Sequence, residues 1–206
     1  VAKLTFRYGA MNSGKSAALL MTAHNVEETG GRVIVLKPAV DTKGGAAVLS
    51  RMGVERSADI LLSSDADAYA TVAAHLEEDG KRLSMVLVDE AQFLTPVQVD
   101  QLFNVAITFD IPVITYGLRT DFQTHLFPGS ARLLAVAHNL LEERTMCGLG
   151  CGRKAVLNGR EVDGRFVRQG EQVTIADTPN VHYVPLCGEH FREKVGDIRE
   201  FDENGK

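Results

Sequence analysis

The sequence predicts an α/β fold, a mainly parallel sheet flanked by helices, followed by a small β-rich unit. Three observations lead there. Short β-branched runs alternate with helically spaced segments through the first two thirds of the chain. Parallel strands need long crossovers, and this alternation supplies them. From about Cys147 the pattern changes to short β-type pieces separated by glycine-containing turns.

Leu4–Tyr8 mixes apolar and β-favouring residues and stops at Gly9. Ser16–Glu28 follows, with Ala17, Leu20, Met21 and His24 at helical spacing, so a strand, a glycine loop and a helix open the chain. Arg32–Leu36 is a second strand, entered from Gly30-Gly31 and ended by Pro38. Val40–Arg56, with turn glycines and a β-like piece near Val48–Ser50, is a hairpin or flexible excursion. Asp65–Glu78 is expected as a helix leading through Asp79-Gly80 to the buried strand Met85–Val88. After Pro96, Val97–Phe109 reads as a helix and Ile111–Tyr116 as a strand ending at Gly117. In the last third, Lys154–Val156, Arg165–Arg168 and Gln172–Ile175 are expected strands, separated by turns at Asn158-Gly159, Asp163-Gly164 and Gly170. The expected units are 1–144, 145–195 and a charged, disordered tail, 196–206.

A chain of 206 residues, 45% hydrophobic, can bury a sizeable core. Its apolar runs fall far short of the roughly 20 residues of a membrane span, and no basic-then-apolar leader precedes Leu4, so the expected compartment is the cytoplasm. Twenty-two basic against 27 acidic residues give a net charge of −5, the wrong sign for a phosphate-backbone binder, and nucleic acid is not an expected partner. The three cysteines lie in the last third and cannot all pair with one another, which points to metal ligation over a disulfide framework.

Gly9-Ala10-Met11-Asn12-Ser13-Gly14-Lys15-Ser16 fits G-x-x-x-x-G-K-[ST] between a strand and a helix. In that setting backbone N–H groups cradle phosphate oxygens, Lys15 faces the β/γ-phosphates, and Ser16 is placed to ligate Mg²⁺. An acidic residue at the end of a buried strand should complete the site, and Met85–Val88 ends in Asp89-Glu90. Asp89 can hold Mg²⁺ directly or through water, and Glu90 can take a proton from an attacking hydroxyl or from water. Cys147 and Cys151 flank three residues, Cys187 and His190 flank two, and 35 residues separate the pairs. The set supplies Cys₃His, a structural zinc combination suited to a small unit with little core of its own. The other histidines, His24, His75, His125, His138 and His182, show no partner spacing and are assigned to surface or packing.

The phosphate loop with Met11 inside it, Lys37-Pro38-Ala39-Val40-Asp41-Thr42, Asp89-Glu90-Ala91-Gln92-Phe93, Tyr116-Gly117-Leu118-Arg119-Thr120-Asp121-Phe122 and Cys187-x-x-His190 occur in one order across nearly the whole chain. That ordered set resembles the P-loop, zinc-binding thymidine kinases. The resemblance implies a RecA-like P-loop NTPase fold with a zinc-stabilised lasso unit. It implies transfer of the ATP γ-phosphate to the 5′-hydroxyl of thymidine, and of deoxyuridine, in nucleotide salvage. Glu90 would be the general base, with Lys15 and Arg119 as further catalytic residues and Gln92 beside Asp89 in the ATP site. The nucleoside would be bound by Met11, Asp41, Glu90, Leu118, Phe122, Phe127, Thr174, Ile175 and Tyr183. A homotetramer inhibited by dTTP is expected on the same ground. Met11, Phe122, Phe127 and Tyr183 also have plainer readings as packing residues.

The sequence departs from the family pattern at the wider first cysteine pair, at Lys43 where arginine is common, and at Ala176-Asp177-Thr178-Pro179 where a double glycine precedes the tyrosine. The rival reading is a P-loop ATPase with water as acceptor.

Overall fold

A computed structural model describes residues 1–40, 47–49, 53, 55–172 and 180–198. Asp41, Lys43, Thr174, Ile175, most of the expected strand at 172–175 and the tail from 199 lie outside the described residues.

The elements in order are β1 (Leu4–Gly9), α1 (Lys15–Glu28), β2 (Arg32–Pro38), β3 (Ala47–Leu49), β4 (Glu55–Ser57), β5 (Ile60–Leu62), α2 (Ala68–Ala73), β6 (Glu77–Glu78), β7 (Lys81–Val88) and a short 3₁₀ turn, Ala91–Phe93. There follow α3 (Pro96–Phe109), β8 (Val113–Leu118), α4 (Pro128–Val136), β9 (Asn139–Glu142), β10 (Leu157–Val162), β11 (Arg165–Val167), β12 (Val181–Leu186) and α5 (Gly188–Lys194). The main sheet runs β5-β2-β7-β8-β1-β9, with every neighbouring pair parallel. This bears out the α/β reading.

Successive strand residues face opposite sides of a sheet, and both sides are covered here. Val33, Val35, Leu87 and Tyr116 pack on Leu19, Leu20 and Ala23 of α1. Ile34, Leu36, Val86, Val88 and Val113 pack on the other side against α2, α3 and α4, through Val72, Leu102, Val105 and Leu133. Helix α3 begins one residue earlier than expected because Thr95 and Gln98 form a reciprocal capping box with Pro96 at the first turn. The excursion after β2 is a hairpin among the described residues, β3 pairing antiparallel with β4.

Two sequence expectations fail for one reason, turn chemistry. The helix expected over Asp65–Glu78 stops at Ala73, because Asp79 and Gly80 both take positive φ (50° and 72°) and fold their flanks, Glu77–Glu78 and Lys81–Arg82, into a hairpin. Conversely, Asn158-Gly159 is no turn and sits inside β10. A Cβ on Gly159 would lie 2.7 Å from Leu186 Cδ1 and 2.8 Å from Phe166 Cε1, so glycine serves close packing there. The strand expected at Lys154–Val156 reduces to a single bridge between Lys154 and Met146.

The second sheet, β11-β10-β12, is antiparallel and lies against α5. Its core is small: Leu157, Leu186, Phe191 and Val195 with Cys147 and Cys187. No helix among the described residues is long and apolar enough to cross a membrane.

Candidate active site and metal centre

The phosphate loop joins β1 to α1. Gly14 takes φ 80° at the helix N-cap, and a Cβ on Gly9 would lie 2.4 Å from the Glu143 carbonyl oxygen, so both glycines are required by geometry. Lys15 folds back over the loop, its Nζ donating to Ala10 O at 2.7 Å and to Ser13 Oγ at 3.1 Å. Burial pulls its pKa down to about 8, against the opposing pull of the Glu90, Asp89 and Glu143 carboxylates.

Asp89 directly follows the central strand β7 and is 5% exposed. Ser16 Oγ lies 3.5 Å from each of its carboxylate oxygens. Burial, and then the charge of Glu90, push the Asp89 pKa up to about 6, while Lys37 and Lys15 oppose the shift. A buried carboxyl carrying that penalty, next to a serine hydroxyl, is the hard-oxygen donor set a magnesium ion takes.

Glu90 has φ 51° and ψ 39°, a left-handed conformation that costs a non-glycine residue about 1–3 kcal/mol and clusters at functional sites. It starts the Ala91–Phe93 turn, and its Oε2 accepts a hydrogen bond from Gln92 Nε2. Gln92 is 1% exposed, and its Oε1 accepts from Leu118 N at 3.0 Å, while Ser130 Oγ donates to Leu118 O. The Glu90 side chain is therefore oriented by a relay running to the end of β8 and the start of α4.

That relay is tightly enclosed. A Cβ on Gly129 would lie 2.6 Å from both Ala91 O and Leu94 O, which are backbone atoms unable to yield locally. Gly129→Ala is accordingly expected to destabilise the fold by about 1–3 kcal/mol. It should also cut turnover about tenfold or more by displacing the turn that carries Glu90. Thermal melts and steady-state kinetics on the variant check both.

Beyond β8 the expected aromatic residues take part in two separate ring contacts. Phe122 and Phe127 are 1% and 4% exposed. The Phe122 and Tyr183 rings meet edge-on, with centroids 6.5 Å apart, and Arg160 lies over the Phe122 ring at 5.2 Å. Phe127 meets Phe93 at 5.6 Å. Met11 and Leu118 are half-buried. Arg119 turns to the other flank of the phosphate loop, over Tyr8, and Nη2 donates to Val156 O at 3.1 Å. A small cleft lies there, shared by Ala10 and Asn158.

The β-rich part of the chain from Val156 onward meets the segment after β8 through several side chains. Besides the Arg119 contact, Asn158 Nδ2 donates to Thr120 O, Gln172 Nε2 to Asp121 Oδ2, and Gln123 Nε2 to Arg168 O. Sequence reasoning missed Asn158, Ser130 and Phe93 as parts of the site. Phe93 stood inside the Asp89–Phe93 motif, whereas nothing in sequence marks the other two.

The four expected metal ligands converge: their donor atoms all lie within 4.8 Å of one another. Cys151 Sγ and Cys187 Sγ are 3.8 Å apart, the edge length of a tetrahedron with Zn–S bonds of about 2.3 Å. Cys147 Sγ is 3.2 Å from His190 Nδ1. The wider Cys147–Cys151 spacing is taken up by a turn in which Gly150 N donates to Cys147 O and Gly150 has φ 73°. The residues thus fit a structural zinc ion that would pin the 147–151 knuckle to the start of α5.

The thymidine kinase family model matches residues 2–191. Among curated proteins, the thymidine kinase of Enterobacteria phage T4 is 45% identical over 195 residues, 94% of this chain and 97% of the phage protein. Those of Ruegeria pomeroyi and Shewanella oneidensis are each 45% identical over 199 residues, 96% of this chain and 97% and 100% of theirs. With a phosphate loop, an Asp-Glu pair and a Cys₃His cluster all in place along a match of that extent, the chain belongs to the thymidine kinase family.

Proposed function

We propose that this chain transfers the γ-phosphate of ATP to the 5′-hydroxyl of thymidine, and of deoxyuridine, yielding the nucleoside monophosphate for salvage. The observation that carries the reading is the Glu90 carboxylate, held in a strained turn directly after Asp89 and oriented by Gln92. The loop Gly9–Ser16 receives the ATP phosphates, and Lys15 leaves Ala10 O to face them. Ser16 and Asp89 would hold the magnesium ion, which when bound neutralises charge on the β- and γ-phosphate oxygens. Glu90 accepts the proton of the 5′-hydroxyl as it attacks, and Arg119, whose side chain lies over Tyr8 against Val156 O, is assigned its catalytic part by family resemblance. Met11, Leu118, Phe122, Phe127 and Tyr183 enclose the nucleoside, and Asp41, Thr174 and Ile175 complete its site by family resemblance.

Zinc is assigned a structural role in a unit spanning 145–195. A homotetramer, feedback inhibition by dTTP, and a cytoplasmic location without membrane or nucleic-acid partners complete the proposal. The test is ADP formation from Mg-ATP with and without each common deoxynucleoside. Turnover only with thymidine or deoxyuridine supports the kinase; turnover indifferent to all of them makes water the acceptor and sinks it.

Lys15 gives this reading a pH signature. Its pKa of about 8 leaves the lysine charged below that pH and increasingly neutral above it. MgATP binding then requires proton uptake, and Kd should rise about tenfold per unit from about pH 8 toward pH 10. Calorimetry in buffers of different ionisation enthalpy should register that uptake near pH 9 and little at pH 6.5.

A further inference from the structure

Asn158 lies in β10, the middle strand of the small sheet, and is 3% exposed. Both ends of its amide are engaged across the molecule: Oδ1 accepts from Met11 N at 2.8 Å, and Nδ2 donates to Thr120 O at 3.1 Å. A backbone N–H can only donate and a carbonyl only accept, so these partners fix which end of the amide is which. The Met11 N–H belongs to the Ala10–Met11 peptide unit, and the other end of that unit, Ala10 O, is the acceptor of Lys15 Nζ at 2.7 Å. A peptide unit is planar, so gripping its N–H also aims its C=O.

We propose that Asn158 is a positioning residue of the phosphate site, through which the zinc-held sheet sets the Ala10–Met11 peptide and with it the resting place of Lys15. The chain of contacts is short. Leu157, the neighbour of Asn158, packs in one core with Cys147 and Cys187. A second bond, from Thr145 Oγ1 to Asn12 O at 3.3 Å, ties the approach to the metal knuckle onto the same loop. An amide buried to this degree, with each of its ends on a different functional segment, does more than fill space. The sheet beside the zinc ligands and the loop proposed for the phosphates share one side chain.

The inference rests on reading Gly9–Ser16 as the ATP phosphate site, and the test separates the two. Zinc-loaded full-length protein is compared as wild type, Asn158→Thr and Asn158→Val, by calorimetric Kd for MgATP without acceptor and by amide exchange at Met11. Threonine and valine have one shape and both suit a strand. Only threonine carries a hydroxyl, a group able both to accept from an N–H such as that of Met11 and to donate to a carbonyl such as that of Thr120. The expected result is a Kd about tenfold weaker for valine than for threonine, with faster Met11 exchange and equal zinc content. A purely structural bond would lower the melting temperature of the valine variant and leave Kd unmoved. Equal Kd values within twofold overturn the proposal. Should wild type itself bind no MgATP, the phosphate reading fails instead, and Met11 exchange in wild type decides: protection supports the link, and exchange at the rate of a free amide overturns it. The same measurement decides if neither variant folds.

Discussion

Glu90→Gln is expected to lower turnover by about 10²–10⁴-fold while leaving MgATP affinity within about threefold of wild type. The substitution is isosteric, and the side-chain oxygen can still accept from Gln92 Nε2, so the turn Ala91–Phe93 and its ties to Leu118 and Ser130 are kept. What is lost is the ability to take a proton. On the proposed reading, affinity for MgATP rests on Lys15, Ser16, Asp89 and the loop amides, none of which the substitution removes. Single-turnover phosphoryl transfer at saturating thymidine, set beside a binding isotherm for MgATP, separates the two effects. Turnover close to wild type would remove Glu90 from the role of base.

Cys187→Ser is expected to have the largest effect on stability. Cys187 is at once a member of the Cys₃His cluster, the N-cap of α5 and a side chain in the small core with Leu157, Leu186 and Phe191. Structural zinc contributes an apparent ~10–16 kcal/mol to small zinc-folded units, so an even share for one ligand in four is about 2.5–4 kcal/mol. The variant should emerge with little bound zinc, lose ordered structure in β10–β12 first, and bind nucleoside poorly because Tyr183 sits on β12. Zinc content, thermal melting and thymidine binding measure this. A variant lacking zinc yet melting and binding like wild type would show that the cluster is dispensable.

The parts of the site legible in sequence are those whose geometry is local. A loop between a strand and a helix, a carboxylate pair at a strand end and two short ligand pairs each carry their meaning in spacing alone. The parts that were not legible depend on register between distant segments. Asn158 meets Met11 across 147 positions, and Asn-Gly ordinarily signals a tight turn, so its place inside β10 follows only from the packing of Leu186 and Phe166 over Gly159. Likewise Asp65–Glu78 has helical composition throughout, and only Asp79-Gly80 with a charged partner strand diverts its end into a hairpin. Of the main sheet, β5 and β9 escaped notice because they are edge strands of three and four residues with half-exposed leucines. For Arg119, sequence gives the position but not the direction, and the side chain points to Val156.

The position of β1 between β8 and β9 bears on biosynthesis. Thr5 pairs with Ile114 on one side and with Asn139 on the other, so β1 is enclosed on both sides only after 134 residues beyond Thr5 have been added. At ~5–20 residues per second, a ribosome needs about 7–27 s for that stretch. For most of that interval, until β8 has been made, Leu4 and Phe6, buried completely in the finished protein, lack the strand they pair beside. The loop that β1 launches is therefore fixed in place only after β8 and β9 have followed it from the ribosome.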